Sequence, residues 1–432
     1  MTLKDSINKV LMPFGKSGNI YLLGAIGQGL GPVLLTPVLT RQLDAQRYGE
    51  ITFINSFAAI LGILFSFGLP IVISRSYVLE ENSRPSINKW FKQIVISYLV
   101  LSFLLLIVSQ DSINILIISL SLPFAVLQLV LPLARAQEKA LAFASISIIG
   151  ILTPSLGVII NSTLNFPIAS AKALVIGALL GSLISIALIW PKDKSEKLFS
   201  NFSLIKSVKN SYPILPHMFA MVALINIDKV IFGQQLDKTF SGYLQVIMLV
   251  GTAPIMILSA LNHAWLNQIL LKLKKNSKEA FTDLNSTIKR LFTLSMLFII
   301  FIVIFYYQIL TILNPNLVIT TEIQKTIILT TLVSFIYVIY LANTHLLTWQ
   351  NKFWILGITT PMSVIFQSLI IYLTIDSFGY ISAGLGLGVA LTIQVLLLEI
   401  FRSKTLTRGA IDYKYLLISL TVFWATALYF LV

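Results

Sequence analysis

Apolar residues run through this chain in blocks of about twenty, separated by short polar or charged stretches. Six such blocks fall at 19–40, 51–74, 93–110, 113–134, 141–162 and 168–190. A second set of six falls at 212–233, 241–262, 288–309, 323–347, 353–374 and 380–401, and a thirteenth, 415–432, reaches the C-terminus. About 20 apolar residues wound as a helix cross the roughly 30 Å hydrocarbon core of a bilayer. Strands are excluded, because an open strand edge in lipid leaves backbone groups unpaired and a barrel would alternate apolar and polar positions over about ten residues. The pattern therefore predicts an all-α, polytopic membrane protein of two six-helix sets plus one extra C-terminal helix.

The two sets are copies. Gln42-Leu43-Asp44, followed by Gly49, recurs as Gln235-Leu236-Asp237 with Gly242, an offset of 193 residues. The same offset lays 19–40 on 212–233, 51–74 on 244–267 and 93–110 on 286–303 without a gap. A repeated polytopic half is the build of many transporters, in which one half rocks against the other around a site at their interface. Transport is the leading expectation on this ground alone.

Composition agrees with the lipid setting. Mean hydropathy is +0.88 and 11% of residues are charged, against about 25% in a soluble domain. The first apolar block starts near Asn19, is as long as a full span and lacks a clear small-residue cleavage site, so it is expected to stay as the first helix. The net charge of +14 could suggest nucleic acid, but its placement follows topology. With the N-terminus inside, 25 of the 31 lysines and arginines lie on cytoplasmic segments, the positive-inside distribution, and Val432 ends outside. No nucleic-acid partner is implied. The absence of cysteine excludes disulfides and thiolate metal sites. His217, His263 and His345 form no i,i+4 metal pair and read as packing or interfacial groups. No cofactor is implied.

Four regions follow: a first lobe at 1–190, a cytoplasmic amphipathic linker at 191–211, a second lobe at 212–401, and a basic loop with the additional helix at 402–432. In the first sixteen residues Leu3, Ile7, Val10, Leu11 and Phe14 recur at helical spacing beside Lys4, Lys9 and Lys16, as in a helix lying on the membrane surface. The linker repeats this design after Pro191 and is long enough to let two halves rock. Outer connections are short, the longest about thirteen residues around Asn314-Pro315-Asn316. They leave no room for an extramembrane catalytic domain, and no Ser/His/Asp set, phosphate-cradling loop or paired acidic motif is present. The chain is expected not to be an enzyme.

Ionisable residues inside spans are functional candidates. Arg41, Lys172 and Lys229 break the positive-inside pattern near the outer ends of their spans, and Asn226 and Asp228 share a helix with Lys229. Snorkelling to headgroups would also account for long cationic side chains. Asp228 and Lys229 are neighbours, so they point about 100° apart and one of them is expected to serve a cavity. Arg75 and Arg135 end the second and fourth spans on the inner side, as anchors or as part of a path. Gln28, Gln234, Asn262 and Gln367 could pair sugar hydroxyls or bond helix to helix. Pro32, Pro37 and Pro70 remove backbone donors and are candidate bends, whereas Gly384, Gly386 and Gly388 suggest a packing seam. The set is rich in cations and poor in carboxylates, which favours an anionic cargo. A phosphate 4 Å from a guanidinium gains about 4 kcal/mol at an effective dielectric near 20, and arginine adds bidentate geometry.

The stretch Gly27-Gln28 through Thr36-Pro37-Val38-Leu39-Thr40-Arg41-Gln42-Leu43, then Tyr48-Gly49, Phe67-Gly68-Leu69 and Arg75, resembles the opening of bacterial polysaccharide transporters of the O-antigen flippase type. Asp228-Lys229-Val230-Ile231-Phe232-Gly233 with Gly242-Tyr243 resembles the seventh-helix region of the same family, which shares a superfamily with multidrug exporters and the lipid II flippase. The resemblance implies two six-helix lobes around a central cavity. It also implies translocation of an oligosaccharide, linked through diphosphate to a polyprenol such as undecaprenol, between leaflets of the bacterial inner membrane for lipopolysaccharide or similar surface polysaccharide. Membrane lipids and the polysaccharide polymerase machinery would be its partners. A thirteenth segment departs from the common even counts. The alternatives are a multidrug or cation exporter of the same fold, for which the first two spans offer no carboxylate, and a membrane polymerase, which the short outer loops oppose.

Overall fold

The computed structural model describes residues 15–70, 73, 84–110, 112–166, 169–190, 212, 215–275, 277–350, 352–403 and 410–431. Fourteen helices are found among them and no strand. The first lobe is built from α1 (Gly15–Gln42), α2 (Ala45–Phe65), α3 (Arg84–Val108), α4 (Ile113–Ala136), α5 (Ala140–Thr163) and α6 (Ser170–Ile189). The second comprises α7 (Leu215–Gln235), α8 (Lys238–Gly251), α9 (Ala253–Lys275), α10 (Ser277–Leu313), α11 (Thr321–Trp349), α12 (Phe353–Phe378) and α13 (Ile381–Ser403). A last helix, α14 (Tyr413–Leu431), follows. Among the described residues eleven helices are long and apolar enough to cross a membrane, α14 included, or twelve when α8 and the start of α9 count as one bent span. At 28 residues, α1 is about 42 Å long and also exceeds the hydrocarbon thickness.

The repeated Gln-Leu-Asp motif has a local cause. Asp44 caps α2, accepting the Arg47 amide at 2.7 Å, and Asp237 caps α8, accepting the Lys238 amide and the Thr239 hydroxyl. Each therefore turns the chain from the first helix of its half into the second by satisfying orphan N–H groups. The ends of the molecule can be named by these turns, the Asp44 face and the opposite, Lys139 face.

Three expected spans differ in the structure. The span expected at 51–74 stops at Phe65, because Phe67 and Gly68 adopt left-handed φ of 49° and 71° that no helix continues through. The span expected at 241–262 is two helices bent by 58°, since Pro254 has no amide to donate across the break and Thr252 turns its hydroxyl onto the Met248 carbonyl at 2.6 Å. The span expected at 288–309 is the 37-residue α10, about 55 Å long and so longer than the roughly 30 Å hydrocarbon core. By contrast, α1 runs unbroken through Pro32 and Pro37. The surface segment expected at residues 1–16 lies almost wholly outside the described residues, and Arg75 and the whole linker at 191–211 lie outside them too.

The lobes meet along α2 against α7 and α8, and α1 against α9. At the Asp44 face Gly233 packs on Phe53, and Gly49 on Lys238 and Gly242. Thr40 seals the same end by donating to the Leu313 carbonyl at 2.6 Å. Inside the second lobe, α13 carries Gly388 beneath the ring of Phe423, which docks α14. Lys325 on α11 donates to the Phe430 carbonyl at 3.0 Å and holds the far end of that helix.

Candidate functional site

A cavity of about 430 Å³ lies between the lobes. The first lobe supplies Gly29, Pro32 and Asn55, and the second supplies the rest from α7, α8, α9, α11 and α13. Its walls are mainly apolar, with Asn55, Asn226, Lys229, Gln245, Thr252 and Ser259 as polar groups. The bend between α8 and α9 places Met248, Thr252, Met256 and Ser259 on one wall, a use of discontinuous helices common to transport sites. Asn55 also borders two hollows of about 220 and 210 Å³ that continue into the first lobe toward Gln128 and Thr36.

Lys229 is the only charged side chain among the described lining residues. It is 3% exposed, and the adjoining Asp228 is fully buried. Although neighbours on a helix diverge, the flexible lysine stem folds back. Nζ donates to Asp228 Oδ1 at 3.0 Å and to the Ile225 carbonyl one turn earlier. Asp228 Oδ1 also accepts the Lys229 amide at 2.9 Å, while Oδ2 has no hydrogen-bond partner. An ammonium has three N–H donors, so these two bonds leave one for a ligand. Replacing the pair by apolar residues need not cost stability, but removing one partner strands a charge.

Asn226 shares the cavity wall and donates to the Val222 carbonyl at 2.9 Å, which leaves its side-chain oxygen for a ligand. The repeat shows how the two halves diverge here. By the 193-residue offset Lys229 corresponds to Thr36 and Gln245 to Thr52, and Thr36 and Thr52 line the first-lobe hollow. One half carries the cation where the other carries a hydroxyl.

The other sequence candidates stand apart from this cavity. Arg41 is exposed at the Asp44 face, where Nη2 donates to the Ile312 carbonyl at 3.3 Å. Lys172 is half-buried on the first turn of α6. Arg135 is exposed at the Lys139 face with its guanidinium 4.9 Å from the Phe143 ring centre. Gln234 is exposed at the end of α7, and the side chain of Gln28 is outside the described ones. Gln367 is fully buried and bonds helix to helix, donating to the Leu224 carbonyl at 3.0 Å. Sequence reasoning passed over Asn55 and Gln245, single polar residues inside apolar blocks. It also passed over a buried cluster at the Lys139 face, where Arg402 donates to Asn343 at 2.9 Å and pairs with Glu399, while Asn343 donates to Glu399 at 2.9 Å.

Two lobes with helices α1, α2, α7 and α8 around a shared cavity are also the fold of solved structures described as MATE transporters and a lipid II flippase. The chain aligns with an inward-facing multidrug resistance MATE family transporter at a TM-score of 0.64, with 13% identity, 88% of this chain and 98% of the other covered. It aligns with the lipid II flippase MurJ in an inward closed conformation at 0.61, with 14% identity over 95% and 92%. A mutant of the Vibrio cholerae MATE transporter VcmN gives 0.62, with 11% identity over 94% and 99%. No curated protein matches the chain. The family model of the polysaccharide biosynthesis proteins matches residues 14–266, more than half of the sequence, and the chain belongs to that family.

Proposed function

We propose that the protein is a flippase that carries an oligosaccharide repeat unit, linked through diphosphate to a polyprenol such as undecaprenol, from the cytoplasmic to the outer leaflet of the bacterial inner membrane. The repeat unit would build O-antigen or a similar surface polysaccharide, and the polymerase machinery would receive it. The observation that carries this reading is a cavity walled by both repeats whose described lining has one charged group, the amine of Lys229. Family membership supports polysaccharide as the cargo class. Burial of each CH₂ in lipid is worth about 0.8 kcal/mol, so a polyprenyl tail stays in the bilayer while the headgroup crosses through the polar interior. Lys229 would hold the diphosphate, with Asn226, Asn55 and Gln245 taking sugar hydroxyls.

The excess of lysine and arginine on the inner segments orients the chain with its N-terminus in the cytoplasm. The Asp44 face is then the outer face. Lobes pinched together there, with the cavity on the inner side of the pinch, correspond to a cargo-accepting state, and rocking would open the outer seam. No step of this cycle makes or breaks a covalent bond. The test is deletion of the gene followed by analysis of polyprenyl-linked intermediates. Unpolymerised lipid-linked repeat units should accumulate at the inner leaflet, and their normal delivery to the outer leaflet would refute the proposal. A second reading, a cation or drug exporter, is favoured by the unpartnered oxygen of Asp228, and transport of a cationic dye by purified protein would decide for it.

A further inference from the structure

A second polar cavity, of about 460 Å³, opens at the Asp44 face of the first lobe, between the start of α2 and the α5–α6 turn. No described residue lines both it and the central cavity, and Ile51 alone borders both it and the hollow toward Thr36. We propose that it is an outer saccharide-binding site, which holds an uncharged sugar of the cargo headgroup after translocation. This inference rests on the flippase reading for its orientation and its cargo.

The volume falls within the roughly 300–1,000 Å³ typical of small-molecule sites, but the lining is unlike that of an apolar pocket. Arg47, Glu50, Asn161, Asn165, Phe166 and Ser170 surround it. The Arg47 guanidinium is already paired with Asp44 at 3.3 Å. Glu50 is half-buried and has no ion-pair or hydrogen-bond partner among the described residues. The site's uncompensated charge is thus negative, which repels a phosphate and accepts hydroxyl protons instead. The exposed Asn165 amide offers both donor and acceptor, the arrangement that vicinal hydroxyls satisfy, and Asn161 lines the same wall. Phe166 is 49% exposed and offers an apolar ring for the CH face of a pyranose. The rim is tied together, because Gln42 at the end of α1 donates to Thr163 at 3.2 Å and accepts from Ser162 at 3.4 Å.

Position gives the site a role. Glu50 adjoins Gly49, whose backbone packs on Lys238 and Gly242 in the seam that closes the outer face. A sugar held by Glu50 from outside therefore bears on the first turns of α2, the element that must part from α8 for the cavity to open outward. The cavity between the lobes takes the diphosphate, and the outer site takes sugar and excludes the diphosphate.

The experiment uses the full chain in nanodiscs with Phe166→Trp as a local reporter, read as the difference from the parent, which already has six tryptophans. The probe is the free repeat-unit oligosaccharide, released by mild acid from the host's lipid-linked pool. A saturable fluorescence change is expected, with no response to inorganic diphosphate. Glu50→Gln, and separately Asn165→Gly, which keeps the left-handed backbone at φ 50°, should each weaken it by about tenfold. A response to diphosphate but not to sugar, no response at all, or an equal response in both variants would overturn the site. A parallel flipping assay with lipid-linked oligosaccharide in proteoliposomes separates the two ideas. Flipping without a sugar response leaves the flippase reading standing and removes this site, whereas a sugar response without flipping does the reverse.

Discussion

Gly49 and Gly242, which occupy the same position in the two repeats, are packed against each other: a Cβ built on Gly242 would lie 2.8 Å from the Gly49 Cα. A Cβ on Gly49 would lie 2.0 Å from the Lys238 carbonyl oxygen. The repeat relation of the lobes thus brings equivalent glycines together in the seam at the Asp44 face, and the seam closes only because neither position has a side chain. Close backbone approach through small residues is the usual basis of helix association in lipid.

Gly49→Leu should therefore disfavour the closed seam without unfolding either lobe. Overpacking costs about 1–3 kcal/mol, enough to shift a balance between closed and open states by roughly 5- to 150-fold. The chain has no cysteine, so Asn55→Cys in the central cavity is a clean probe. Labelling by an impermeant maleimide added from outside should be faint in the parent background and strong with Gly49→Leu. Equal labelling in both would show that the glycine pair does not gate the outer face.

At the opposite face, Arg402 is fully buried and pairs with Glu399. Arg402→Ala leaves that carboxylate buried without its cation, which costs about 3–5 kcal/mol. Thermal unfolding in detergent should show a clear drop in Tm, and Arg402→Met combined with Glu399→Leu should recover most of it. If the double variant stays as unstable as the single one, the cluster is held by something other than the charge pair.

Orientation has its own test. Reporter fusions after Lys197 and after Lys278 should read cytoplasmic, and one near Asn316 should read external, given the distribution of lysine and arginine. An external signal at Lys197 would invert the assignment of faces and move the proposed sugar site to the cytoplasm.

Hydropathy and the repeat were enough to foresee an all-helical membrane protein in two halves, because a span of apolar residues has few structural options in lipid. Backbone detail was harder to foresee. The ends of α2 and of α8 depend on left-handed residues at Phe67 and Gly68 and on Pro254, and an apolar block masks both. Of the polar groups that line the central cavity, the sequence singles out only Asn226 and Lys229, both on α7. In a helix as evenly apolar as α2, no amphipathic stripe tells the cavity face from the lipid face, so Asn55 had no periodicity to reveal it. Charge marked Lys229, but it also marked Arg41, Arg135 and Lys172, and of these four Lys229 alone lines the central cavity. The expected divergence of Asp228 and Lys229 considered helix directions and left out the reach of a lysine stem.

That separation yields the sharpest prediction. Lys229 lines the central cavity and Arg41 lies exposed at the Asp44-face end of α1, so a shared cationic path predicts equal losses whereas the geometry predicts unequal ones. Lys229→Gln should reduce surface polysaccharide at least about tenfold, the effect of losing one charge-assisted contact, while Arg41→Gln should have a much smaller effect. Stability must be held apart from function, since Lys229→Gln strands the buried Asp228 and lowers protein abundance. Adding Asp228→Asn removes the stranded charge, so the double variant should return to normal abundance yet remain inactive, and the cycle of four proteins isolates the coupling. Lys229→Arg should retain part of the activity, because charge survives while the geometry of a single ammonium does not. Activity that tracks abundance through all four proteins would reduce Asp228 and Lys229 to a structural pair and leave the cavity without its cation.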